Sequence, residues 1–128
     1  MTHEREKLPE TRTGINHKVK IGGVKIFITV NTFKDGRPAE IFIKTGIINS
    51  VKDDKEQEFG LQGWCNSICI LMSLCLQAGV ELEIICGKLQ YQRFKPDGRT
   101  TTDHKYATSI VDYLARWLLE TYPVKEKK

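Results

Sequence analysis

The chain has 128 residues, 40% of them hydrophobic, which suits one domain with a real core. A formal net charge of +4 is a modest excess and does not alone imply nucleic acid. No apolar run approaches the roughly eighteen residues of a membrane span, and the charged start Met-Thr-His-Glu-Arg-Glu-Lys leads into no apolar segment, which argues against a secretory signal. The expected address is cytoplasmic (the host cytoplasm if the chain is viral).

Residues 1–15 carry charge, Pro9 and Gly14 without any period, and read as an arm. Residues 16–122 read as one domain, and 123–128 as a solvated basic tail. A short strand, His17–Ile21, is followed by a turn at Gly22-Gly23. Val24, Ile26, Ile28 and Val30 then alternate with Lys25, Thr29 and Asn31, the period of two of a half-buried strand. Phe27 and Phe33 interrupt the polar side, a sign that it too is covered. Lys34-Asp35-Gly36-Arg37 is a hairpin signal, because Asp-Gly supplies positive φ angles readily. Ala39–Lys44 is the next strand, and a three-stranded antiparallel meander is the simplest topology. Residues 45–58 read as a loop with a charged end.

Residues 59–78 form the strongest helix candidate. Leu61, Trp64, Cys65, Ile68, Cys69, Met72, Cys75 and Leu76 recur at spacings of three and four as one apolar stripe. Ile70, Leu71 and Leu74 add apolar surface outside it, so the helix is either central or faces another subunit, and a homo-oligomer is expected. Gly79 suits its stop. Residues 81–89 read as a shorter helix with Leu82, Ile85 and Leu89 inward. A basic loop over 90–102 leads to a last helix, expected to start at Thr102 or Asp103, both good N-caps. Its stripe is Tyr106, Ala107, Ile110, Val111, Leu114, Trp117 and Leu118, and Pro123 ends it. Asp112 and Arg116, four apart, read as a surface ion pair worth a few tenths of a kcal/mol, about 0.3. The fold class is therefore α+β, an antiparallel sheet of about three strands packed against two or three helices.

The four cysteines, Cys65, Cys69, Cys75 and Cys86, form no Cys-x-x-Cys pair, which argues against a zinc ribbon. The first three sit in an apolar run and read as small core hydrophobes. No metal and no cofactor are expected.

Several segments, in order, carry a resemblance. They are Leu8-Pro-Glu-Thr-Arg12, Asn16-His17-Lys18 with Ile21-Gly22-Gly23, Asp35-Gly36-Arg37, Glu40–Ile43, Ser73–Gln77 with Gly79-Val80, Arg93–Gly98 and Ser109–Tyr113. From about Leu8 to Tyr122 the chain resembles the C-terminal (TSCPD) domain of class II, adenosylcobalamin-dependent, ribonucleotide reductases. The resemblance implies a domain that follows the catalytic barrel and can precede a cysteine-rich tail. The barrel, with its thiyl-radical and redox cysteines, has no counterpart here, nor does the metal-binding tail. Lys95 stands where the resemblance leads us to expect an acidic residue, so this loop is more basic than the pattern. Independent catalysis is not expected: His17 and His104 are scattered and no nucleophile elbow occurs.

Two basic clusters remain as candidate sites. Arg93, Lys95, Arg99 and Lys105 lie around Thr100, Thr101 and Thr102, before what reads as a helix N-terminus, where free N–H groups favour an anion. Arginine clamps phosphate with paired hydrogen bonds, and Tyr91 and Phe94 can stack on a base. The plainer reading is a solvated, capped loop. Arg12, His17 and Lys18 are the second cluster, with charged protection of a strand edge as the plainer reading. Two functions follow as expectations. One is a stand-alone binder of a phosphorylated, nucleotide-like small molecule, of the kind a phage would use to sequester a nucleotide signal. The other is an accessory or split subunit docking on a reductase catalytic chain.

Overall fold

The computed structural model describes residues 4–46 and 55–123, with backbone alone at 55–59. Three strands, β1 (Gly14–Ile21), β2 (Val24–Thr32) and β3 (Pro38–Thr45), precede α1 (Lys55–Gln77) and α2 (Leu82–Leu89). A two-residue ladder, β4 (Gly98–Arg99) with β5 (Tyr106–Ala107), then leads to α3 (Ile110–Thr121). The sheet order is β1-β2-β3, antiparallel throughout, the meander that the alternation predicts. The expected loop over 45–58 falls mostly outside the described residues, and α1 has already begun at Lys55.

Local chemistry sets each turn. Gly22 and Gly23 both take positive φ, which lets a two-residue turn join Ile21 to Val24. A side chain at Gly22 would also strike the carbonyl oxygen of Asp97, so the turn is pressed against the later basic loop. At the second hairpin Gly36 N–H donates to Phe33 O at 3.0 Å, and Phe33 N–H to Arg37 O at 2.9 Å. α1 ends as the glycine at 79 requires: Gly79 N–H bonds Leu76 O and Val80 N–H bonds Cys75 O, the paired C-terminal motif that glycine permits.

One core lies between the sheet and the helices. Val19, Ile21, Ile26, Ile28, Val30, Ile41 and Ile43 supply the sheet side. Cys65, Cys69, Met72 and Leu76 come from α1, Leu82 and Cys86 from α2, and Ile110, Tyr113, Leu114, Trp117 and Leu118 from α3. Burial pushes the Cys65 thiol up to about 11 and those of Cys69 and Cys86 to about 12, so all three stay protonated near neutrality. Helix α1 also seals the outer edge of β3. Thr45 N–H donates to Gln62 Oε1 (2.8 Å) while Gln62 Nε2 donates to Ile43 O (2.7 Å). Ile41 N–H donates to Ser73 Oγ (2.9 Å) and Gln77 Nε2 to Ala39 O (3.1 Å).

The side chains correct the expected pattern in three places. Trp64 is 71% exposed and does not belong to the α1 stripe, because it sits one step, about 100°, from Cys65 around the helix. The polar side of the sheet is not covered at Phe27, which is 38% exposed beside Phe42 at 53%; Phe33 alone is buried. The last helix starts at Ile110, with Ser109 as N-cap, not at Thr102 or Asp103, so Tyr106 and Ala107 lie in β5.

Candidate functional site

The basic loop, residues 91–108, is built on a single carboxylate. Asp112 is 1% exposed. Its Oδ1 accepts Tyr91 N–H at 2.7 Å and its Oδ2 accepts Thr108 N–H at 3.0 Å. Arg116 closes the ring, donating to Asp112 Oδ2 at 2.9 Å and to the Tyr106 carbonyl. Burial pushes the Asp112 carboxyl up, but the N–H groups of Thr108 and Tyr91 and the Arg116 guanidinium outweigh it and hold it below the usual range. The pair is therefore a buried strut rather than a surface ion pair.

This corrects the expected position of the helix N-terminus. Thr102–His104 offers no helix-end N–H groups, because it lies in a turn between β4 and β5. The true N-terminus of α3 is already occupied: Ser109 Oγ accepts Asp112 N–H at 2.9 Å, and the Asp112 carboxylate holds the amide just before the helix. The loop is also fixed to the sheet. Gly22 N–H donates to Arg99 O (3.0 Å), Lys20 N–H to Thr101 Oγ1 (3.0 Å) and Thr101 N–H to Lys20 O (3.3 Å), which extends the β1 edge.

Of the residues singled out from sequence, Tyr91, Arg93, Phe94, Lys95, Arg99 and Lys105 are exposed on this loop. Lys95 pairs with Asp97 at 2.7 Å. No carboxylate pairs with Arg93, Arg99 or Lys105 among the described residues. Thr102 points inward, its hydroxyl 3.2 Å from Tyr113 Oη. The second cluster is not brought together. Arg12 clasps both oxygens of Glu40 at 2.8 Å. Strand alternation sends His17 to the helix side and Lys18 to the open side, 6.0 Å from the Phe27 ring centroid.

Sequence reasoning missed a polar cluster beneath the loop. His17 Nε2 lies 2.7 Å from Tyr113 Oη, and its ring stacks on Trp117 at 4.6 Å. The His104 ring meets Tyr113 edge-on at 5.2 Å and pairs with Glu120 at 2.8 Å. Burial, then the charge of His104, lowers the His17 pKa, and burial raises that of Tyr113. No buried side-chain nitrogen or oxygen among the described residues lacks a partner. No group of three or more potential metal ligands occurs among those residues. A cleft of about 420 Å³ lies elsewhere, under the arm, between Glu6–Pro9 and Phe33–Asp35.

Comparison with known proteins covers nearly the whole chain. The TSCPD domain model matches residues 2–122. A vitamin B12-dependent ribonucleotide reductase of Rhodopirellula baltica is 38% identical over 119 residues, 92% of this chain and 11% of that protein. The Bradyrhizobium diazoefficiens protein of the same name is 36% identical over 121 residues, 93% of this chain and 9% of the relative. That of Streptantibioticus cattleyicolor is 35% identical over 115 residues, 89% of this chain and 18% of the relative. No solved structure matches. The chain spans about a tenth of the length of the first two of these relatives. The match takes in the meander, α1, the basic loop and the Asp112 strut together, and the chain belongs to the TSCPD domain family.

Proposed function

We propose that this chain is a non-catalytic binding module that docks on the remainder of a vitamin B12-dependent ribonucleotide reductase through the outer face of α1. The observation that carries this reading is the character of that face. No charged residue occurs from Phe59 to Val80, and Trp64, Ile70, Leu71 and Leu74 stand exposed on the side away from the sheet. An uncharged surface centred on an aromatic anchor suits a protein partner more than water. The relatives supply the partner's chemistry, since the matched region is a small part of each reductase.

The test mixes this chain with a B12-dependent reductase lacking its matching region. A complex is expected by size-exclusion chromatography with light scattering, and Trp64→Ala and Leu71→Glu are expected to abolish it. Deoxynucleotide is expected from the reductase chain and none from this chain alone. Failure of the mixture to associate, or product from this chain by itself, overturns the reading.

A second reading is favoured by Arg93, Arg99 and Lys105, which are exposed without carboxylate partners among the described residues, beside the exposed rings of Tyr91 and Phe94. In it the loop holds the phosphate of a nucleotide-like molecule, as a sequestering protein would. Calorimetric titration with nucleotides and cyclic dinucleotides tests it. Arg93→Ala or Arg99→Ala is expected to weaken such binding about ten- to a hundred-fold, given roughly 1.5–3 kcal/mol per charge-assisted bond. Lys88→Ala, exposed on α2, serves as the control; Arg116 cannot, because it holds Asp112.

A further inference from the structure

The side of the sheet turned away from the helices carries a pattern that neither the core nor the α1 docking face requires. We infer that this open face binds single-stranded nucleic acid, with phosphates on its lysines and bases on its two phenylalanines. Alternation places Lys18 and Lys20 of β1, Lys25 and Phe27 of β2, and Phe42 and Lys44 of β3 on this side, all exposed. The register sets Phe27 between Lys18 and Lys44, so one row across the sheet reads cation, ring, cation.

The charge is one-sided. Glu40 is the one carboxylate on this side of the three strands, and it is neutralised by Arg12 and bonded by Asn31. Four lysines therefore stand without acidic counterparts on the strands. Lys20 and Lys25 face each other directly, an arrangement that disfavours the sheet unless an anion lies between them.

The rings decide the kind of polyanion. Phe42 is paired with Thr29, two residues from Phe27, so the rings are diagonal neighbours on adjacent strands, about 7–8 Å apart at the backbone. A sheet face with neighbouring exposed rings offers successive stacking platforms, which unpaired bases can use and duplex bases cannot. A single nucleotide would occupy one ring; two rings flanked by lysines call for a strand of at least two nucleotides.

Fluorescence anisotropy with a labelled twelve-nucleotide oligothymidylate tests the site, with the corresponding duplex, heparin and anionic phospholipid vesicles as competitors. The single strand is expected to bind, and to be displaced by unlabelled single strand better than by any of the three competitors. Phe42→Ala is expected to weaken binding about ten- to a hundred-fold. Lys44→Glu is expected to weaken it and to flatten the dependence of log affinity on log salt by about 0.7. Each variant should melt as the parent does, since neither side chain is in the core. Lys88→Glu, on the helical side, should bind as the parent, as should Leu71→Glu, which separates this site from α1 docking. The inference is overturned if the oligonucleotide does not bind, if Phe27→Ala and Phe42→Ala both bind like the parent, or if duplex, heparin or vesicles compete as well as the single strand.

Discussion

Asp112 does the work of three caps at once, because one buried carboxylate receives the amides that begin and end the basic loop and also the Arg116 guanidinium. Removing it leaves two amides without their acceptor and the guanidinium with the Tyr106 carbonyl but no carboxylate. Asp112→Ala is therefore expected to cost about 3 kcal/mol in urea unfolding, the scale of breaking a buried pair. The acid limb of stability should change as well. A carboxyl held below its unfolded value, near 3.9, contributes stability that is complete above that value and is lost as pH falls through the folded one. Asp112→Asn is expected to flatten this loss in melts recorded between pH 5 and pH 2 (a range of about three units). At this scale the sequence was partly legible. Ser109 stands three before Asp112, a capping spacing, but Thr102 and Asp103 offered equally good caps earlier in the chain. What decides between them is the long-range bond from Tyr91 to Asp112, which no local spacing reveals.

At the scale of elements, α1 has two apolar sides and the sheet accepts only one. Cys65, Cys69, Met72 and Leu76 are buried, while Trp64 and Leu71 lie on the opposite flank with Gly60, Gly63 and Ser67, whose small size permits close approach of another helix. In the absence of a reductase chain, this flank is expected to close on a second copy. Light scattering should then give about twice the 14.7 kDa of one chain, and Leu71→Glu should return it to the single-chain mass. A single-chain mass for the parent at micromolar concentration would count against self-association. The strands were readable because period two and two glycine turns leave little choice of register. The inner side of α1 was readable for the same kind of reason. Trp64 was misassigned because a tryptophan at helical spacing reads as core, and only the width of the sheet sets where the covered stripe stops.

Taken whole, the molecule is a sheet with a helical side and an open side, and its proposed contacts divide between them: α1 for a protein, the lysine and phenylalanine side for a polyanion. The division was legible as alternation, yet the sequence suggested cover over both sides, since exposed phenylalanines and buried ones look alike in a pattern. The two strand edges differ just as sharply. At β3, side chains of Gln62, Ser73 and Gln77 take the place of a fourth strand. At β1, the backbone of Asn16 and Lys18 faces outward beyond the reach of the basic loop, which pairs only from Lys20 on. Amide hydrogen exchange should report the contrast. The amides of Ile41 and Thr45, on a geometric edge, should exchange as slowly as those inside β2, while those of Asn16 and Lys18 should exchange within the shortest labelling time. Equally fast exchange at both edges would contradict this. Because α1 side chains hold the β3 amides, helix and sheet are expected to melt as one cooperative unit. Any partner that pries α1 loose would at the same time uncover a strand ready to pair.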